Sequence, residues 1–174
     1  MDIKQALIDE HSKPQTLKIV KYVGNDSTRF KELMTIFLNS EYRVTQRSAW
    51  PLSEIAIEHP ELIKPYFSKL IAKLQKEGEH PAIPRNILRI FQDIDIPVKY
   101  HGILIDLCFK FIVEHHHPIA VRAFAITVAV NICRHYPDLK NELVIVLNDL
   151  KKYPQQPAIT SRIKSAFKRL NMDK

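Results

Sequence analysis

The chain has 174 residues, which is enough for one domain with its own hydrophobic core, and we expect a single domain over residues 1–174. Hydrophobic residues make up 45% of the chain and charged residues 26%, with only three glycines. This composition excludes a disordered chain and disfavours a turn-rich all-β fold. Both cysteines, Cys108 and Cys133, fall inside apolar helical runs, so we interpret them as buried hydrophobic residues in a reducing compartment.

The net charge of +7 is concentrated near one end of the chain. The segment from Lys151 onward carries seven basic residues and one acidic residue, whereas residues 1–150 carry a net charge of only +1. A uniformly basic groove along the whole protein is therefore not expected. The first residues are charged and lead into no apolar segment of secretory length, and no stretch is apolar enough to cross a membrane. We expect a cytoplasmic protein that does not associate with membranes.

The first predicted elements are a capping helix over residues 2–10 and a helical hairpin over residues 14–38. A second hairpin is predicted over residues 41–75, where apolar residues between Pro60 and Pro81 recur at helical spacing and leave lysines outward. Pro51 falls within the first helix of this hairpin, and we expect it to bend the helix.

The remaining predicted elements repeat the same plan. Hairpins are predicted over residues 83–114 and 118–151, and a last capping helix over residues 157–170. In the third hairpin the expected apolar face includes Ile103, Leu104 and Leu107. No segment alternates as a strand would, so the sequence predicts an all-α protein.

An arginine near the start of the first helix of each hairpin marks a repeat. These arginines recur at intervals of 37 to 40 residues, as Arg47, Arg85, Arg122 and Arg162. The strongest internal match pairs Val44–Ala49 with Ala120–Ala125. One hairpin cannot bury the apolar faces of both its helices, so we expect successive hairpins to stack on a continuous core.

The segment His117–Ala123 resembles the helix entry of HEAT repeats, in which a proline and two further residues precede valine, arginine and a small residue. The resemblance covers about residues 13–170. It implies an all-α, right-handed α–α superhelix, a HEAT-like solenoid of about four hairpins with terminal capping helices. In such stacks the arginine is typically a ladder residue between neighbouring units, so Arg47, Arg85 and Arg122 are predicted to be structural rather than to track along an anionic polymer.

The repeat plan favours a non-enzymatic scaffold that receives a protein or peptide on a curved surface. The alternative is a nucleic-acid-binding protein, because the chain is also similar in size and helical plan to the HEAT-like bacterial alkylpurine DNA glycosylases. That resemblance implies aromatic residues and an acidic residue around a DNA-holding groove, but no position here corresponds to the catalytic acid, and the one tryptophan is Trp50.

The predicted partner-binding residues lie on the last helix. Its apolar positions define one face, and the remaining surface carries four basic residues, Arg162, Lys164, Lys168 and Arg169. These either bind a partner or form the solvated face of a terminal cap. The run His115–His117 is predicted to be a polar corner, because adjacent residues do not share a helical face as metal ligands would. We predict no catalytic residue, no metal and no cofactor.

Overall fold

The computed structural model describes residues 1–171. Asp173 and Lys174, which belong to the basic segment that begins at Lys151, lie outside the described residues. Within this range the chain forms α-helices and two short 3₁₀ turns and contains no strand, which confirms the all-α prediction. The helices are α1 (Ile3–Asp9), α2 (Lys13–Val23), α3 (Ser27–Asn39), α4 (Tyr42–Glu58), α5 (Pro60–Ile63), α6 (Phe67–Gln75), α7 (Ala82–Phe91), α8 (His101–Val113), α9 (Ile119–Cys133), α10 (Pro137–Lys151) and α11 (Pro157–Arg169). None of these helices is long and apolar enough to cross a lipid bilayer.

The chain divides into two compact units, Met1–Asp95 and Ile96–Lys174. In the first unit α4 is central, because α1, α2, α3 and α7 all pack against it. Its core side includes Leu52 and Ile55, both fully buried. Pro51 lies inside this helix, where it cannot donate the hydrogen bond to the carbonyl four residues earlier.

The short connections of the first unit end its helices with defined caps. The Asp26 side chain accepts hydrogen bonds from the backbone N–H groups of Thr28 and Arg29 at the start of α3. Gly24 ends α2 with a positive φ of 48°, and its N–H donates to the Val20 carbonyl over 2.8 Å. Three residues therefore suffice to reverse the chain between α2 and α3.

In the second unit α9 is central, packed against α8, α10 and α11. Eleven of its fifteen residues are buried, so α9 is apolar nearly all round. The two strongest matching segments of the sequence, residues 44–49 and 120–125, thus belong to the central helices of the two units. The internal repeat reflects the same burial requirement in each unit.

The two arginines of these matching segments bond to the ends of neighbouring helices. Arg47 Nη1 donates to the carbonyls of Leu7 and Ile8 in the last turn of α1, over 3.0 and 2.7 Å. Arg122 Nε donates over 3.2 Å to the Ile112 carbonyl in the last turn of α8. Such carbonyls lack partners inside their own helix, so the arginines satisfy them. Arg85 is half-buried on α7, and its side chain makes no hydrogen bond or ion pair with any residue from 1 to 171; its backbone N–H donates to the Pro81 carbonyl over 3.3 Å.

The hairpin boundaries agree with the sequence to within a few residues, but two details of the third hairpin differ. Its helices, α7 and α8, fall in different units. On α8, Ile103 is exposed and Ile105 is buried, contrary to the expected apolar face. The reason is that apolar residues occupy most positions of α8, so their spacing alone does not specify which side is buried.

Substitutions of Phe67 and Leu147 test whether these residues belong to the cores of the two units. Both side chains are fully buried, Phe67 in the first unit and Leu147 in the second. Replacing either by alanine should lower the free energy of unfolding by about 2 to 5 kcal/mol, because the substitution leaves a cavity. Urea unfolding followed by circular dichroism measures this, and a midpoint unchanged in both variants would refute the core assignment.

Substitutions of Arg122 test whether this residue stabilises the fold through its packing or through its charge. Its side chain is 7% exposed, burial lowers its pKa, and its Nη2 atom has no hydrogen-bond partner. Arg122→Ala should cost about 1 to 3 kcal/mol, since the Ile112 bond and the packing of the methylene groups are lost. Arg122→Met, which keeps the length but removes the poorly satisfied charge, should unfold within about 1 kcal/mol of the native protein. If both variants lose the same stability in urea, the charge itself is required and the packing explanation is wrong.

Candidate binding surface

Two adjoining cavities open on the surface of the second unit, and Tyr153 lines both of them. One, of about 440 Å³, lies between the end of α8 and the outer side of α10. The other, of about 410 Å³, lies between the end of α10 and α11. We call the two cavities together the Tyr153 groove; they are lined by Val113, His115, Ile145, Val146, Asn148, Asp149, Leu150, Lys151, Lys152, Tyr153, Gln155, Thr160, Ile163, Lys164 and Phe167.

The connection between α10 and α11 holds Tyr153 in place. The Tyr153 N–H donates to the Leu150 carbonyl over 3.3 Å, which continues the last turn of α10. The Gln155 side chain then donates back to the carbonyls of Leu150 and Tyr153, over 3.0 and 3.4 Å. Pro154 and Pro157 restrict the backbone of the same connection. The loop is therefore fixed by its own hydrogen bonds and prolines, while the tyrosine ring remains outside the core.

Three apolar side chains of the Tyr153 groove are exposed to solvent. Tyr153 is 63% exposed, Ile145 is 69% exposed and Val113 is 51% exposed. Single exposed apolar residues are ordinary, but these three line the same cavity. Clusters of this kind, with an aromatic residue among them, are typical of surfaces that bind a partner.

Three lysines line the groove, Lys151 and Lys164 in the cavity beside α11 and Lys152 in the cavity beside α8. Lys151 lies over the Phe167 ring, with its Nζ 5.0 Å from the ring centroid, and Lys164 lines the same cavity. Lys152 forms an exposed ion pair with Asp149 over 2.9 Å. Three lysines against one aspartate leave the groove with an excess of positive charge.

The four basic residues predicted to bind a partner lie on two sides of α11. Arg162 and Arg169 flank the buried face and bond to α9: Arg162 Nη1 donates to Thr127 Oγ1 over 3.0 Å, and Arg169 Nη2 donates to Asn131 Oδ1. Lys164 and Lys168 are exposed. Because successive residues of an α-helix are 100° apart around its axis, the two lysines lie roughly opposite the two arginines. Residues 162 and 164 differ by about 200° around the helix, so the surface left by the apolar face is divided into an arginine side and a lysine side. That these residues bind a partner stays a prediction.

Arg162 and Arg169 belong to a cluster with Arg134, which follows α9. Burial lowers the pKa of Arg169, and the nearby positive charges of Arg134 and Arg162 lower it further. Within residues 1–171 none of the three forms an ion pair with a carboxylate. We refer to Arg134, Arg162 and Arg169 as the arginine cluster; its charge, which no carboxylate among residues 1–171 pairs with, suits an anion.

Residues 114–117 form a turn between α8 and α9, which we call the histidine turn. Glu114 Oε2 lies 3.0 Å from His117 Nε2 and 3.7 Å from His116 Nε2, whereas His115 lines the Tyr153 groove. Burial lowers the pKa of His117, although its hydrogen bond to Glu114 acts in the opposite direction. The expectation that adjacent histidines cannot converge applies to a helix, but these residues are not helical.

The two cysteines are unsuited to nucleophilic chemistry in this fold. Cys108 is fully buried in α8, and burial raises the pKa of its thiol. Burial also raises the pKa of Cys133 to about 12. Both thiols are therefore protonated at neutral pH, and a thiol reacts as a nucleophile only when it is deprotonated.

Sequence reasoning missed Tyr153, Ile145 and Val113. Tyr153 does carry a signal, since it is an aromatic residue in a proline-containing loop beside a basic segment. Ile145 also carries a signal, because helical spacing places it about 200° from Leu143 and so away from the buried Leu147 and Leu150.

No curated protein is similar to the chain. The sequence matches the HEAT repeat domain over residues 3–170, which includes both units almost completely and every helix described above. Together with the hairpins, the arginine spacing and the central helices α4 and α9, this match shows that the chain belongs to the HEAT-repeat family.

Proposed function

We propose that this protein is a non-enzymatic scaffold that binds a segment of a protein partner in the Tyr153 groove. The observation that carries the proposal is the exposure of Tyr153, Ile145 and Val113 on the walls of one cavity. HEAT repeats build binding surfaces by stacking hairpins, and the groove lies between helices of such hairpins. We further propose that the protein acts in the cytoplasm as one domain.

The chemistry of the groove indicates the kind of segment that fits. Its apolar walls favour aliphatic or aromatic side chains, which lose contact with water when they enter the cavities. Lys151, Lys152 and Lys164 favour carboxylates beside those side chains, since opposite charges speed association and fix orientation. We therefore propose a peptide in which apolar anchors alternate with aspartate or glutamate.

Selection of short random peptides on the purified protein tests this proposal. The selected peptides should be rich in apolar and acidic residues. In fluorescence anisotropy, Tyr153→Ala should weaken their binding by about 2 kcal/mol, or roughly thirtyfold, because an exposed aromatic anchor at the centre of a groove contributes much of the affinity. Lys152→Glu with Lys164→Glu should slow association and reduce the effect of salt on it.

A matched control comes from the first unit, where Ile57 is 49% exposed and Lys18 and Lys69 are also exposed. Two control variants remove similar groups away from the groove. Ile57→Ala removes an exposed apolar side chain, and the double variant Lys18→Glu with Lys69→Glu reverses two exposed charges. Both should leave peptide binding unchanged. Peptides that bind the Tyr153→Ala protein as tightly as the native protein would place the binding surface elsewhere.

A second candidate function, nucleic-acid binding, is favoured by the arginine cluster. Arg162 and Arg169 are oriented by bonds to Thr127 and Asn131, which lie one turn apart on α9. Oriented guanidinium groups without carboxylate partners are suited to phosphates. For this candidate the partner is the phosphate backbone of DNA or RNA, with no requirement for a particular base.

Binding to short single-stranded and double-stranded DNA and to RNA, measured over a range of salt concentrations, tests the second candidate. Arg134→Gln with Arg169→Gln should weaken binding and reduce the slope of log K against log salt by about one to two units, since each phosphate contact contributes close to one.

Lys164→Gln with Lys168→Gln is the matched control. It also removes two positive charges from the second unit, but on the other side of α11, and should change the salt slope much less. Equal effects of the two double variants would indicate non-specific attraction to net charge. Absence of binding near physiological salt would remove this candidate and leave the peptide proposal untouched.

A further inference from the structure

Three metal-binding side chains converge in the histidine turn. One ligand atom each from Glu114, His116 and His117 lies within 4.8 Å of the other two. The Glu114 carboxylate already contacts both rings, through its Oε2 atom 3.0 Å from His117 Nε2 and 3.7 Å from His116 Nε2. The two imidazole rings are themselves adjacent, with centroids 4.1 Å apart.

The backbone and the neighbouring helix hold this arrangement. Glu114 caps α8, with its N–H donating to the Lys110 carbonyl over 3.1 Å, and the His117 N–H donates to the Glu114 carbonyl over 3.2 Å. The His117 side chain is only 18% exposed, and its ring packs edge-on against Phe111, with centroids 4.9 Å apart. Pro118 then fixes the entry into α9. Two of the three side chains are therefore positioned before any ligand arrives.

We propose that Glu114, His116 and His117 form a binding site for a divalent transition-metal ion, with Zn²⁺ as the best match. Two imidazoles and one carboxylate are a ligand set that zinc uses in open, four-coordinate sites, where water occupies the fourth position. Bond lengths of about 2.0 to 2.2 Å in a tetrahedron place ligand atoms about 3.3 to 3.6 Å apart. The separations of 3.0 and 3.7 Å from Glu114 Oε2 lie on either side of this range.

A metal ion here would join the end of α8 to the start of α9. Glu114 is the C-cap of α8, and His117 precedes Pro118, the N-cap of α9. Since α9 is the central helix of its unit, fixing this corner should stabilise the folded unit relative to the unfolded chain. The alkaline earth ions prefer more oxygen ligands than the turn offers, so Mg²⁺ and Ca²⁺ should not compete.

Titration of the full chain, free of any purification tag and treated with a chelator, tests the proposal. Co²⁺ should bind saturably at one site and give the intense visible absorption of tetrahedral coordination, and Zn²⁺ should displace it. His116→Ala and Glu114→Gln should each weaken Zn²⁺ binding by more than about tenfold, because loss of a direct ligand costs at least as much as loss of a supporting group. Zn²⁺ should also raise the melting temperature of the native protein.

His115→Ala is the matched control, since it removes a neighbouring histidine whose side chain faces the Tyr153 groove. This variant should keep both the affinity and the Zn²⁺-dependent rise in melting temperature. The side chain of His116 is 70% exposed, so its removal should leave the helical circular dichroism unchanged, and Glu114→Gln provides an independent variant. Binding that survives in both ligand variants, binding that is lost in His115→Ala, or the absence of saturable binding would overturn the proposal.

Discussion

Burial of one central helix in each unit is the constraint on which the rest of this structure depends. Helix α4 in the first unit and α9 in the second are each covered by several neighbours, so their sequences must be apolar on more than one side. Arg47 and Arg122, on these central helices, bond to carbonyls at the ends of neighbouring helices, which lack partners inside their own helix. The internal sequence repeat follows from this shared requirement to bury a central helix.

The sequence predicted the hairpins well because their boundaries depend on local chemistry. Prolines, caps and apolar spacing act over a few residues, so they can be read without knowing the fold. The exposed side of α8 could not be predicted in the same way. Ile103 is exposed although it lies within an apolar run, and only the position of neighbouring helices decides which members of such a run are buried.

The candidate sites were less predictable than the fold for a related reason. Prediction of the histidine turn requires knowing that residues 114–117 are not helical, because the spacing at which side chains converge differs between a helix and a turn. The Tyr153 groove combines α8, α10 and α11, which are separated by loops and whose juxtaposition no short motif encodes. The basic segment was recognised from charge alone, but charge does not distinguish the arginines bonded to α9 from the solvated lysines.

The division of basic residues around α11 follows from helix geometry and separates the two candidate functions. Arg162 and Arg169 are seven residues apart, close to two turns, so both reach α9, whereas Lys164 and Lys168 face solvent. The arginines are already ordered by their bonds, so binding a phosphate there costs less side-chain entropy. The lysines are exposed to solvent, and an ammonium group on a long flexible side chain contributes attraction without a fixed geometry. The two proposed functions therefore use different sides of α11: phosphate binding is proposed for the arginine side, and attraction of an acidic peptide for the lysine side beside the Tyr153 groove.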